Sequence, residues 1–104
     1  MTKELKDIEI ADNVVSRGLG LIGRGGWKRN GMLLKETNAI HTVFVRFPID
    51  VVFLDQDFNI LRVVKNLEPF RFSPIVWKAK HVLELPTGTI KNKSLRVGNK
   101  IKLV

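Results

Sequence analysis

Between Ile40 and Asp55 the chain reads IHTVFVRFPIDVVFLD, and counting by twos divides it into two unlike faces. His41, Val43, Val45, Phe47, Ile49, Val51 and Phe53 are apolar at every position after the histidine, whereas Thr42, Phe44, Arg46, Pro48, Asp50, Val52 and Leu54 mix polar with large apolar groups. Successive side chains of a strand point to opposite sides, so the odd set is predicted to face the core and the even set to line a surface that is neither open water nor plain core. The turn formers of DQDFN, residues 55–59, predict a hairpin into a second strand from Ile60 to Lys65. Pro69 and Pro74 bound an irregular connection holding Phe70, Phe72 and Trp77. A strand is predicted from Ala79 to Leu85, with His81, Leu83 and Leu85 on one side and Lys80, Val82 and Glu84 on the other. The tail SLRVGNKIKLV suits a last strand pair turning at Gly98-Asn99. Upstream, Gly31 to Leu34 is a short apolar run, and Val14, Val15, Gly18, Leu21 and Ile22 recur at helical spacing in a segment from Asp12 to Ile22 that Asp12 or Asn13 can cap. Short strands with one short helix near the N-terminus predict a mainly β fold, a small sandwich or barrel.

Gly18-Leu19-Gly20-Leu21-Ile22-Gly23 has the G-x-G-x-x-G spacing of a dinucleotide loop. That motif needs a strand before it, a helix opening from its third glycine and an acidic residue about 20 positions on. Here Arg24-Gly25-Gly26 would break such a helix within a turn, and the window for the ribose carboxylate, KETNAIHTV, holds only Glu36 in a turn-like stretch. No cofactor is expected, and Gly18 and Gly20 are read as places of close packing against a sheet.

Several separated motifs occur in a recognisable order. An arginine precedes a Gly-Leu pair and a second arginine, as Arg17, Gly18-Leu19 and Arg24; GMLL follows at Gly31 to Leu34, then the Ile40–Asp55 run, NLEPFRF at Asn66 to Phe72, VLELPTGT at Val82 to Thr89 and VGNKI at Val97 to Ile101. From Ala11 onward the chain resembles the family catalogued as domain of unknown function 192. The resemblance implies a compact β sandwich or barrel carrying a short helix, and it leaves the biochemical role open. Where that family's last turn usually reads Gly-Asp, this chain has Gly98-Asn99.

At 104 residues one domain spanning residues 1–104 is expected. With no cysteine and two histidines, thiol chemistry is excluded and no metal site is expected. No apolar run approaches the roughly 18 residues of a membrane span, so no membrane association and a cytoplasmic location are the expectations. The net charge of +8 favours anionic partners. Arg24, Lys28 and Arg29 form one basic group and Lys91, Lys93, Arg96, Lys100 and Lys102 another. Few aromatics interleave with these groups, which makes nucleic acid a possible but not the favoured partner.

Candidate chemistry concentrates on the mixed face. Thr42, Arg46 and Asp50 share it with Phe44 and Val52, the lining expected of a ligand site, and Arg24, His41 and Glu84 are ligand-binding candidates beside them. The leading expectation is a non-enzymatic binding or accessory module with a polar pocket there, taking a small or anionic ligand. Alternatives are a hydrolase using Asp50, Glu84 and His41, which needs two carboxyl groups roughly 5 to 10 Å apart in one cleft, and a weak electrostatic nucleic-acid binder. Structurally, Asp50 and Glu84 are expected to accept hydrogen bonds from Arg46, Arg17 or Arg24, with Arg46 to Glu84 the favoured pair. Of the two tryptophans, Trp27 beside Gly25 and Gly26 is expected to be the more exposed.

Overall fold

The computed structural model describes residues 1–11, 26–42 and 45–104. The helix expected from Asp12 to Ile22, the glycine loop, Arg17, Arg24, Val43 and Phe44 lie outside the described residues. The strands are β1 (Thr2–Leu5), β2 (Ile8–Ala11), β3 (Gly31–Lys35), β4 (Ile49–Leu54), β5 (Ile60–Leu67), β6 (His81–Pro86) and β7 (Lys100–Leu103), with a helical turn α1 (Thr89–Asn92) between the last two. The fold is mainly β. A five-stranded sheet runs in the order β2-β3-β6-β4-β5, and a two-stranded ribbon pairs β1 with β7. The large sheet has two open ends among the described residues, so it is not a closed barrel.

Each face of the large sheet carries its own core. On one face Leu33, Val52, Leu54, Ile60, Leu83 and Leu85 pack against Leu5 and Ile101 of the ribbon and against Ile90 and Leu95. On the other, Met32, Leu34, Ile49, Val51, Phe53 and Val82 pack with Ala11, Val45 and Ala79, and Trp27, Ile40, Phe47 and Val76 close over them. All six residues of β4 are consequently buried. This corrects the expected mixed, solvent-touched even face: β4 is an interior strand between β6 and β5, covered on both sides, and strands so covered read as continuous apolar runs.

The β4–β5 hairpin forms around residues 55–59 as its turn chemistry predicts. Asp55 Oδ1 accepts the N–H groups of Asp57 and Asn59, both at 2.9 Å, closing the turn. The pairing then slips: Ile49 faces Leu67 but Val51 faces Val64, so β5 carries one extra residue there. Such a bulge leaves a backbone donor without its ladder partner, and Asn66 within it has a φ of 55°.

The tail departs from expectation. No strand precedes Gly98 in that segment; β7 pairs instead with β1, in parallel, Thr2 opposite Lys100 and Leu5 opposite Leu103. Asn99 Oδ1 accepts the Arg96 N–H at 3.1 Å, which holds the Gly98 turn without a second strand.

Candidate functional site

Of the six residues singled out from the sequence, the five that are described do not converge. Arg24 lies outside the described residues. His41 is exposed and bridges Phe72, with the two rings 6.1 Å apart. Thr42 is fully buried and works as a staple between two loops. Its N–H donates to the Arg71 carbonyl at 2.8 Å, its hydroxyl donates to the Glu68 carbonyl, and the same hydroxyl accepts the Arg71 N–H at 2.9 Å. Thr42→Val keeps the volume and strands these groups, so urea unfolding should show a loss of about 2 kcal/mol. A change below 0.5 kcal/mol would mean that water replaces the hydroxyl at about equal free energy.

Asp50 and Glu84 lie on opposite faces of the sheet. Asp50 alternates with Val51 and shares the ribbon-side face with Val52, whereas Glu84 pairs with Met32 and Val51 on the other. They cannot act as one carboxyl pair. Asp50, 1% exposed, spends both oxygens on backbone: Oδ1 accepts the Asn66 N–H at 2.9 Å, and Oδ2 accepts those of Gly88 at 3.1 Å and Ile90 at 3.0 Å. Its partners are the bulge of β5 and the start of α1, where Gly88 has a φ of 94° that favours glycine. These donors are main-chain groups; among the described residues no arginine pairs with Asp50, and Arg17 and Arg24 lie outside them. Glu84 is 5% exposed, and its Oε1 has no hydrogen-bond partner among the described residues. Desolvation pushes its carboxyl up to about 8. The expected pair with Arg46 is not formed, because Arg46 stands exposed before β4 while Glu84 is enclosed in the second core.

An open cleft of about 740 Å³ does exist, in a place the sequence pattern did not single out. Glu36, Thr37, Asn38 and Ala39 after β3, Gln56 at the hairpin tip and Ala79, Lys80 and His81 at the start of β6 line it. Backbone bonds fix its walls: Thr37 N–H donates to the Lys80 carbonyl at 2.9 Å and Lys80 N–H to the Leu54 carbonyl at 2.8 Å. Glu36, at a φ of 57°, turns its N–H onto His81 Nδ1 at 3.2 Å. With Nδ1 accepting, the neutral ring carries its proton on Nε2. Burial, then the charge of Lys35, holds the His81 imidazole below its ordinary value against the opposing pull of Glu36. The edge of Phe58, 5.3 Å away, fixes the ring plane. His81 was read from the sequence only as a strand residue; the αL turn that aims a backbone donor at it has no local signature in Lys35-Glu36-Thr37.

A second feature lies on the neighbouring loop, residues 68–80, which is laced to residues 37–42. Phe70 N–H donates to the Thr42 carbonyl, Ser73 N–H to Ile40 and Val76 N–H to Asn38, at 2.8 to 3.0 Å. On this anchored loop Phe70, Phe72 and Trp77 are 63%, 77% and 80% exposed. The tryptophan expectation is thus reversed: Trp27 is half-buried against Phe47, ring centroids 5.8 Å apart, and Trp77 faces solvent.

Among the described residues no group of three or more His, Cys, Asp or Glu side chains is placed to hold a metal ion, and no helix is long and apolar enough to cross a membrane.

Comparison with known proteins agrees with the motif order. A UPF0127 protein of Pyrococcus abyssi is 35% identical over 101 residues, covering 93% of this chain and 86% of its own. A UPF0127 protein of Pyrococcus furiosus is 32% identical over 108 residues, covering 96% and 90%. A crystal structure of a protein of unknown function from Novosphingobium aromaticivorans superposes with a TM-score of 0.78 at 20% identity, over 89% of this chain and 71% of that one, and supports the fold alone. The profile described as Uncharacterized ACR, domain of unknown function 192, matches residues 1–103, taking in β1 and β2 ahead of the Ala11 start read from the motifs. With that match over nearly its whole length and relatives above 30% identity, the chain belongs to the domain of unknown function 192 family.

Proposed function

We propose that the protein is a non-enzymatic binding module whose polar pocket is the cleft between the β3 turn and the start of β6, and that it takes a small metabolite carrying an anionic oxygen. One observation carries this reading: His81 is locked as an Nε2 donor at a cleft that the exposed Lys80 also lines. An ammonium beside a neutral donor suits a carboxylate or phosphate group, since charge-assisted hydrogen bonds are about twice as strong as neutral ones. Glu36, beside His81 in the same lining, provides an acceptor for an amino or hydroxyl group of the same ligand. Asp50 and Glu84 are buried on separate faces, which favours binding over hydrolysis. The ribbon lying across one face of the large sheet also favours a sandwich over a barrel.

The test is a nuclear magnetic resonance titration with amino acids, hydroxy acids and sugar phosphates, following the His81 ring and the Thr37 and Lys80 amides. Saturable shifts at these groups are expected with at least one class, and Lys80→Ala should weaken that ligand about 10- to 100-fold, the worth of one charged hydrogen bond. Shifts that never saturate at millimolar ligand, or that survive Lys80→Ala unchanged, would remove the reading.

A further inference from the structure

Apart from the cleft, the protein presents a loop whose large aromatic side chains are mostly in water although the backbone beneath them is fixed. Phe70, Phe72 and Trp77 are each more than half exposed, with Ile75 53% exposed between them. Exposed apolar side chains scattered singly need no explanation, but four on one loop do. The loop is not loose: the bonds of Thr42, Ile40 and Asn38 pin it along its length, and Ser73 Oγ accepts the Ile40 N–H at 2.8 Å. The rings are therefore held out by the fold.

Their neighbours are cationic. Arg71 separates Phe70 from Phe72 and Lys78 follows Trp77 in the chain, and Arg62 of β5 lines the same groove as Trp77 and Lys78; Glu68 is the one carboxylate between Ile60 and Lys78. Leu61, Arg62, Ile75, Val76, Trp77 and Lys78 together line an open groove of about 450 Å³. Few aromatics interleave with the two densest basic runs of the sequence; this third group is assembled by the fold from β5 and the loop.

We infer that this surface binds single-stranded nucleic acid, with Phe72 and Trp77 as stacking platforms for unpaired bases and Arg62, Arg71 and Lys78 drawing the phosphates. Alternating rings and cations match a strand in which each base is followed by a charge, and stacking on an aromatic face is tolerant of base identity. A lipid surface would instead favour a continuous apolar patch with cations at its rim, and here Arg71 stands between Phe70 and Phe72 along the chain. Duplex readout needs an element that enters a groove, whereas the described helix, α1, has four residues and stands away from this loop in the chain. His41, whose ring lies 6.1 Å from that of Phe72, extends the platform.

Fluorescence anisotropy with labelled oligothymidylate, oligouridylate, a duplex of equal length and anionic phosphatidylglycerol vesicles tests the inference. Both single strands are expected to bind more tightly than the duplex, and Phe72→Ala and Trp77→Ala should each weaken them about 5- to 150-fold. Affinity should fall with salt, and Arg71→Ala or Lys78→Ala should each reduce the log–log slope by about 0.7, one phosphate contact on a single strand. Because these side chains are exposed, circular dichroism melting should leave the variants within a few degrees of the parent. Lys80→Ala, which tests the cleft, is expected to leave the effects of Phe72→Ala and Trp77→Ala unchanged. Three results would each overturn the inference: no anisotropy change up to about 100 µM protein at about 50 mM KCl, equal binding by folded Phe72→Ala and Trp77→Ala variants, or binding to vesicles but not to either single strand.

Discussion

Asp50→Ala is expected to be among the most damaging single substitutions, lowering the free energy of unfolding by about 3 kcal/mol or more. The buried side chain collects three N–H donors, from Asn66, Gly88 and Ile90, and is the acceptor all three share. Each buried donor left unsatisfied costs about 1 to 3 kcal/mol, reduced where water can enter. Asp50→Asn should lose less than alanine but still be clearly destabilised, because one oxygen becomes an NH2 that meets an N–H head-on whichever way the amide is turned. Urea unfolding measures the loss, and amide exchange locates it: the Asn66 and Ile90 amides should exchange faster than those of Val52 and Leu83. A loss below 1 kcal/mol for Asp50→Ala would show that the bulge and α1 hold without it.

Glu84→Gln is expected to act in the opposite direction. Glu84 sits in β6, the central strand of the sheet, between Met32 and Val51, with a folded-state value raised to about 8 from an ordinary 4.5. The unfolded chain releases this proton first as pH rises, so the contribution of Glu84 to stability is fully present below about 4.5 and declines between there and about 8. The slope is about 1.4 kcal/mol per pH unit for one proton, so the total is a few kcal/mol. Glutamine keeps the shape and cannot ionise. The variant should match the parent near pH 4 and exceed it increasingly toward pH 8, as chemical unfolding across that range would reveal. Parallel pH profiles for the two proteins would mean that Glu84 is ionised in the fold and is compensated there.

What the sequence made legible was local. The hairpin of β4 and β5 could be read from period-two alternation joined by the turn chemistry of Asp55 to Asn59, since both signals lie within a few residues. The second core could not, because alternation tells which residues share a face and says nothing about whether another layer covers it. Glu84 illustrates it: it shares a side with Val82 as the alternation predicts, but that side is covered by the second core, where no ligand site or Arg46 partner can reach it. Likewise β1, written TKEL, has the alternation of a solvated ribbon and no apolar run to announce it, and its partner β7 stands at the far end of the chain. Of the candidate site, the residues were chosen for belonging to one strand face, whereas the cleft is built from a turn, a hairpin tip and a strand start that only tertiary pairing joins. Trp27 and Trp77 were misjudged for a related reason. A run of glycines nearby suggested exposure, but the ring of Trp27 found Phe47 across the fold.

The parallel pairing of β1 with β7 bears on how fast the protein can form. Leu5 and Ile101 complete the ribbon-side core together, yet almost the whole chain separates them. Closing so long a loop carries a large entropic cost before any contact repays it, and pairings of this kind slow folding relative to locally wired domains. During synthesis the sheet strands β2 to β6 leave the ribosome first, and the face bearing Leu33, Leu83 and Leu85 must wait for Lys100 to Leu103 to emerge. Through that interval the unfinished core is an exposed apolar surface, which makes the nascent chain, rather than the finished protein, the form most open to aggregation and to chaperone capture.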